Sequence, residues 1–151
     1  MFSERDHYWM QRAIQLAEIA ATKNEVPVGA ILVCDDQIMG ERFNTPIAQH
    51  DPTAHAEMVA LRAAATQLGN YRLLNSTLYV TLEPCIMCAG AMVHARIERL
   101  LFGAYDPRAG AVTSMAQVLD KPFLNHRVQH AGGLLAEQCG GLLSKFFQAR
   151  R

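Results

Sequence analysis

The chain has no net charge: 14 lysines and arginines balance 14 aspartates and glutamates. A global basic field, the kind that holds nucleic acid regardless of sequence, is thereby excluded. No run of 18 apolar residues occurs, so the sequence predicts no membrane-spanning helix. There is no low-complexity tract, no internal repeat and no linker-like stretch. The 151 residues therefore read as one domain, 1–151, large enough for a real core. Cysteine is scarce, and two of the four cysteines sit in a single Cys-x-x-Cys. That is too few for a disulfide scaffold and predicts a reducing cytoplasm. The polar, charged start from Met1 to Asp6 is unlike a secretory signal.

What is present is concentrated in two short stretches, His55-Ala56-Glu57 and Thr81-Leu82-Glu83-Pro84-Cys85-Ile86-Met87-Cys88. Together they offer an imidazole, two thiolates and a carboxylate not needed as a ligand. That inventory suits a catalytic zinc, which takes three protein donors and leaves a position for water. Pro84 suits the first turn of a helix. Cys85 and Cys88 would then stand three apart on one helical face, near the positive end of the dipole. His55 is expected on a second helix entered through Asp51-Pro52-Thr53, with Thr53 as its N-cap. Glu57 is two residues on and off that face, so a shared site must lie at the helix's N-terminal end. Glu57 is accordingly assigned to the water's proton and not to the metal. Two other readings compete. Cys-x-x-Cys alone also marks a redox pair, and a structural zinc would draw a fourth ligand from Cys34, Cys139 or another histidine.

Around these stretches the pattern predicts a three-layer α/β/α domain with a mixed sheet of about five strands. A helix is expected over 4–22, a hairpin over 28–33 and 38–43, and a helix over 54–68. A strand over 76–82 leads into the cysteine helix, to about Ala95, whose Ala89-Gly90-Ala91 would allow close approach to its neighbours. Strand, helix and strand 99–103 with a tight connection imply a parallel pair. A loop over 104–112, a short helix over 114–119, a weak strand over 127–130 and a terminal helix over 134–151 complete the plan. His50 reads as a loop histidine, His94 as a satisfied helical histidine, and Cys34 as a structural thiol at the hairpin turn.

Three features bear on nucleic acid. Residues 1–60 carry nine acids and four bases, whereas 121–151 carry Glu137 against Lys121, Arg127, Lys145, Arg150 and Arg151. An RNA partner would meet that C-terminal patch; ordinary solvated charge is the equal alternative. Phe146 and Phe147 read as core residues or as stacking surfaces for bases. Asn44 reads as a turn residue or as an amide offering donor and acceptor to a base edge.

The paired motifs resemble those of the zinc-dependent nucleobase deaminases of the cytidine/deoxycytidylate deaminase superfamily. Val26-Pro27-Val28-Gly29-Ala30, His50 through Glu57, Tyr79 through Cys85, Met87 through Met92 and Asn125-His126-Arg127-Val128 are similar to the bacterial tRNA-specific adenosine deaminase branch. The likeness covers nearly the whole chain, although a C-terminal tail of some relatives is missing, which would alter RNA contacts. The resemblance implies that His55, Cys85 and Cys88 hold one zinc per subunit and that Glu57 shuttles the proton. It places Asn44 at the flipped base and Asp106 beside neighbouring nucleotides, and docks the anticodon arm on the C-terminal helix. It implies a cytoplasmic homodimer that converts the wobble adenosine of an arginine tRNA to inosine. Attack falls on C6, N1 takes a proton and ammonia leaves. Splaying out the base costs a few kcal/mol, less in a loop than in a duplex. Two rival functions remain open at this point: deamination of free guanine- or cytosine-type compounds by the same metal, and a zinc-stabilised RNA-binding module without catalysis.

Overall fold

The computed structural model describes residues 2–150. Its elements follow in order as α1 (Glu4–Thr22), β1 (Gly29–Cys34), β2 (Gln37–Phe43), α2 (Pro46–Gln49), α3 (Ala56–Leu68), β3 (Ser76–Leu82), α4 (Ile86–Ala95), β4 (Arg99–Ala104), β5 (Gln129–Ala131) and α5 (Ala136–Gln148). The strands form one mixed sheet in the order β2-β1-β3-β4-β5. β1 runs antiparallel to β2 and to β3, whereas β3–β4 and β4–β5 are parallel.

Alternation along the strands divides the core into two layers, because successive side chains point to opposite faces. Ala30, Leu32, Leu78, Val80, Leu100 and Phe102 join the α3 and α4 side. Ile31, Val33, Tyr79 and Leu101 join α1 and α5 on the other. The expected α/β/α layering is therefore present. Glycines set two of the helix–sheet distances. A Cβ on Gly29 would overlap the backbone of α1 at Ala13, and one on Gly40 would overlap α3 at Ala60. Gly40 thus lets α3, whose N-terminus borders the site, lie directly on the sheet.

Several expectations need correction. The short helix expected over 114–119 is a turn followed by one 3₁₀ turn, Val118–Asp120. The fifth strand is shifted to Gln129–Ala131, and the terminal helix is shorter than expected. α2 was not anticipated; Pro46 starts it and it is a single turn. Gly90 is not a close-approach residue, since nothing lies within 4 Å of a Cβ built there; Ala89 is the fully buried member of the three. Among the described residues no helix is long and apolar enough to cross a membrane.

A buried acid ties the two halves of the sheet to α1. Ser3 and Asp6 form the anticipated capping box, with the Ser3 hydroxyl accepting from the Asp6 N–H and Asp6 accepting from the Ser3 N–H. Asp6 also accepts from the Tyr79 hydroxyl at 2.8 Å and from Arg99 at 3.0 Å. Burial opposes the Asp6 charge, but Ser3, Tyr79 and Arg99 outweigh it and hold its carboxyl below the usual range. A depressed folded-state pKa stabilises the fold above the unfolded value of about 3.9 and is lost as pH falls through the folded value. Asp6→Asn is expected to cost about 2 kcal/mol at pH 7. Thermal unfolding followed against pH should show the wild type losing its advantage over this variant below about pH 4.

Candidate metal centre and active site

Two helix N-termini meet at one end of the sheet. His55 is the N-cap of α3 and Cys85 the N-cap of α4. This differs from the expectation in one respect at each helix. Thr53 does not cap α3; its N–H and hydroxyl both donate to Asp51, at 2.8 and 2.7 Å. Pro84 precedes the N-cap of α4, so Cys85 stands at the entry and only Cys88 lies in the first turn. The capping oxygen of α3 comes instead from the end of β2: Asn44 Oδ1 accepts from the Ala56 N–H at 3.3 Å.

His55 Nδ1 lies 3.6 Å from the sulfurs of both Cys85 and Cys88. With Zn–S near 2.3 Å and Zn–N near 2.0–2.1 Å, a tetrahedral angle separates nitrogen and sulfur by about 3.6 Å. The three donors fit zinc without rearrangement. They are the only such group among the described residues, their ligand atoms all within 4.8 Å of one another. Three protein donors match a catalytic and not a structural zinc. The fourth-ligand alternatives fail on position. Cys139 lies in the α1/α5 layer, whereas Cys88 lies in the other. Cys34 faces the Leu74 carbonyl, His94 is exposed on α4, and His50 caps α2 in a left-handed conformation. Cys85 and Cys88 are both free thiols.

Charge at the site follows from these contacts. The Cys88 thiol and then His55 favour the Cys85 thiolate against burial and bring it down to about 3. Cys85 and burial push Cys88 up, so on protein charges alone the sulfur pair retains a proton there. Both sulfurs would be thiolates in the metal-bound form, because a coordinating thiol is deprotonated outright. Cys85 also raises the pKa of His55, by hydrogen bonding. Glu57, in the first turn of α3 and only 4% exposed, sits beside Cys88. Burial pushes its carboxyl up to about 7, with Cys85 adding to the rise and His55 opposing it. That value suits a group that must both take and give a proton near neutrality.

A groove of about 720 Å³ opens at the same end of the sheet, walled by Val26, Leu82, Asp106, Arg108, Leu143 and Phe147. The metal donors are not part of its lining; Leu82 connects the two, three residues before Cys85. The adjacent phenylalanines take different places: Phe146 is core, with Arg150 over its ring at 3.5 Å, and Phe147 is 47% exposed in the groove wall. Of the C-terminal bases, Arg150 is committed to Phe146 and Asn24, and Arg127 donates to the Leu119 carbonyl. Arg151 lies outside the described residues. Sequence reasoning overlooked two buried glutamates, Glu25 and Glu83, that hold backbone N–H groups around the site. Their only signal was a lone acid next to an apolar strand.

Residues 3–104 match the family model described as the cytidine and deoxycytidylate deaminase zinc-binding region. The chain is 54% identical over 150 residues to a tRNA-specific adenosine deaminase of Haemophilus influenzae, covering 99% of this chain and 87% of that protein. It is 43% identical to the Bacillus subtilis protein of that name, covering 97% and 91%. The chain belongs to the tRNA-specific adenosine deaminase family. A solved structure from a study of A-to-I editing by tRNA:A34 deaminases superposes on the deaminase with a TM-score of 0.88 at 40% identity, covering 90% of this chain and 99% of that one. A guanine deaminase from Nitrosomonas europaea, at 19% identity and a TM-score of 0.76, shares the fold. The family settles the chemical class, a zinc-dependent hydrolytic deaminase. Purified wild type should hold about one zinc per chain by metal analysis, and Cys88→Ala should hold almost none.

Proposed function

We propose that the chain, as a single deaminase domain over residues 1–151, converts adenosine to inosine at the wobble position of an arginine tRNA. The observation that carries the reading is the metal centre's three donors with Glu57 buried at their side. The identity to named tRNA deaminases supplies the substrate class. Zinc held by His55, Cys85 and Cys88 supplies Lewis acidity that makes water a nucleophile near neutral pH.

The protein's own part is orientation and proton transfer. Glu57 takes the water's proton on a carboxylate oxygen and delivers it to N1 of adenine. Once the C6–O bond has formed, the hydroxyl on C6 gives up its proton, which Glu57 passes to the exocyclic amine; the C6–N bond then breaks, ammonia leaves and C6 becomes a carbonyl. With one lone pair of Asn44 Oδ1 taken by α3, its NH₂ is the group proposed to donate to the base. Asp106, on the groove wall, is the proposed contact to adjacent nucleotides. Phe147 offers a ring face in the same wall, where a splayed base gains about 1–3 kcal/mol by stacking.

A homodimer in the cytoplasm completes the proposal. Ile86, beside Cys85, is 70% exposed, and Ile47 and Met115 are also exposed on segments bordering the site. A second copy would cover such apolar residues next to the metal. Ile86→Asp is expected to shift the sedimenting species from dimer to monomer.

The test of activity is incubation with the arginine tRNA, read by sequencing for guanosine at the wobble position. Glu57→Ala should lower the rate about 10²–10⁴-fold with zinc retained. Turnover of free guanine or cytidine alone would replace the RNA reading with a free-base deaminase. Undiminished deamination by Glu57→Ala would remove the proton shuttle.

A further inference from the structure

Glu83 is a buried carboxylate without a cation. It is 2% exposed, and no Lys, Arg or His pairs with it among the described residues. Its charge is met by donors from one loop. Oε1 accepts from the Asp106 N–H at 3.0 Å and from the Ser114 hydroxyl. Oε2 accepts from the N–H groups of Val112, Thr113 and Ser114 at 3.2, 2.8 and 2.9 Å. The backbone adds two bonds, Glu83 N–H to the Ala104 carbonyl and Ala111 N–H to the Pro84 carbonyl, both 2.8 Å. Gly110 passes so close that a Cβ there would overlap the Glu83 carboxylate.

A buried charge is expensive, and a loop can be anchored more cheaply by apolar packing. What this arrangement adds is registry. Glu83 is two residues from Cys85, and the loop it grips carries Asp106 and Arg108 into the groove wall. One side chain thus ties the groove to the metal centre.

We propose that Glu83 is a positioning residue that sets the 106–114 loop, and through it Asp106, against the metal centre. Its kinetic part rests on the tRNA deaminase reading, and its structural part does not. The test uses the zinc-loaded full chain, with hydrogen exchange measured in the absence of RNA. In Glu83→Gln one backbone-facing oxygen becomes an NH₂ donor. The amides of Asp106, Val112, Thr113 and Ser114 should exchange about tenfold faster or more, while those of α3 and α4 and the zinc content stay unchanged. KM for an anticodon stem-loop should rise about tenfold, with kcat falling by less than about threefold. Added to Asp106→Ala, the substitution should raise KM by no more than about twofold further, because both act through one loop. Gly110→Ala leaves the carboxylate chemically intact but displaces it. It should reproduce the faster loop exchange, and it serves where Glu83→Gln does not fold. Unchanged loop exchange in both variants, loss of zinc from Glu83→Gln, or full additivity with Asp106→Ala would overturn the proposal. Faster loop exchange alongside a wild type that makes no inosine would sink the tRNA reading and leave the clamp standing.

Discussion

Everything functional depends on two helices beginning at the same end of one sheet. Parallel pairing of β3 with β4 requires a crossover, and α4 supplies it, so α4 must start where β3 ends. α3 starts beside it because Gly40 lets that helix lie on β2 without a side chain between. The His55 nitrogen and the two sulfurs come into range only because both N-caps share this edge. Helix dipoles favour the thiolates there by about 0.3–1 kcal/mol each. That is small beside the charge of a divalent cation, so the dipoles assist the site without creating it.

The two buried glutamates show how environment divides one residue type into two roles. Glu57 and Glu83 are almost equally inaccessible. At Glu57 burial outweighs the hydrogen bonds from its own backbone and from Cys88, and its carboxyl rises to about 7. At Glu83 burial also opposes the charge, but Ser114, Thr113 and Asp106 outweigh it and hold the carboxyl below its usual range. The first is the residue proposed to carry the proton; the second stays charged and binds backbone. Both have little exposed surface, but Glu57 lies deeper among protein atoms and Glu83 has more donors, and the two differences act together.

Much of this was legible in the residues. The i, i+3, i+4 spacing of Met10, Ala13, Ile14 and Ala17 and the Ser3–Asp6 box gave α1 its observed bounds, and the β-formers of 76–82 gave β3. His55, Cys85 and Cys88 were legible as candidate ligands from their types and spacing, and the fold brings their ligand atoms within 4.8 Å of one another. The errors fall at helix starts and in loops. Thr53 looked like a cap because it stood in the right place, but Asp51 sits nearer to its hydroxyl and the cap comes from Asn44, twelve residues upstream of Ala56. A long-range partner leaves no local trace. The split of Phe146 from Phe147 has the same origin, since only the packing of α5 decides which ring turns inward.

The sequence alone determined the chemistry: an imidazole, two thiols and a spare carboxylate at spacings that suit one metal, within a chain whose periodicities specify alternating strands and helices. It did so because ligand identity and hydrophobic period are properties of residues in order. Tertiary structure alone decided which donors were left over. It placed Cys139 across the sheet from Cys88, engaged the Asn44 oxygen with α3 and gave Glu83 its five donors. Those outcomes depend on which distant groups meet after burial, and hydrogen-bond partners are assigned only once the chain has closed around them.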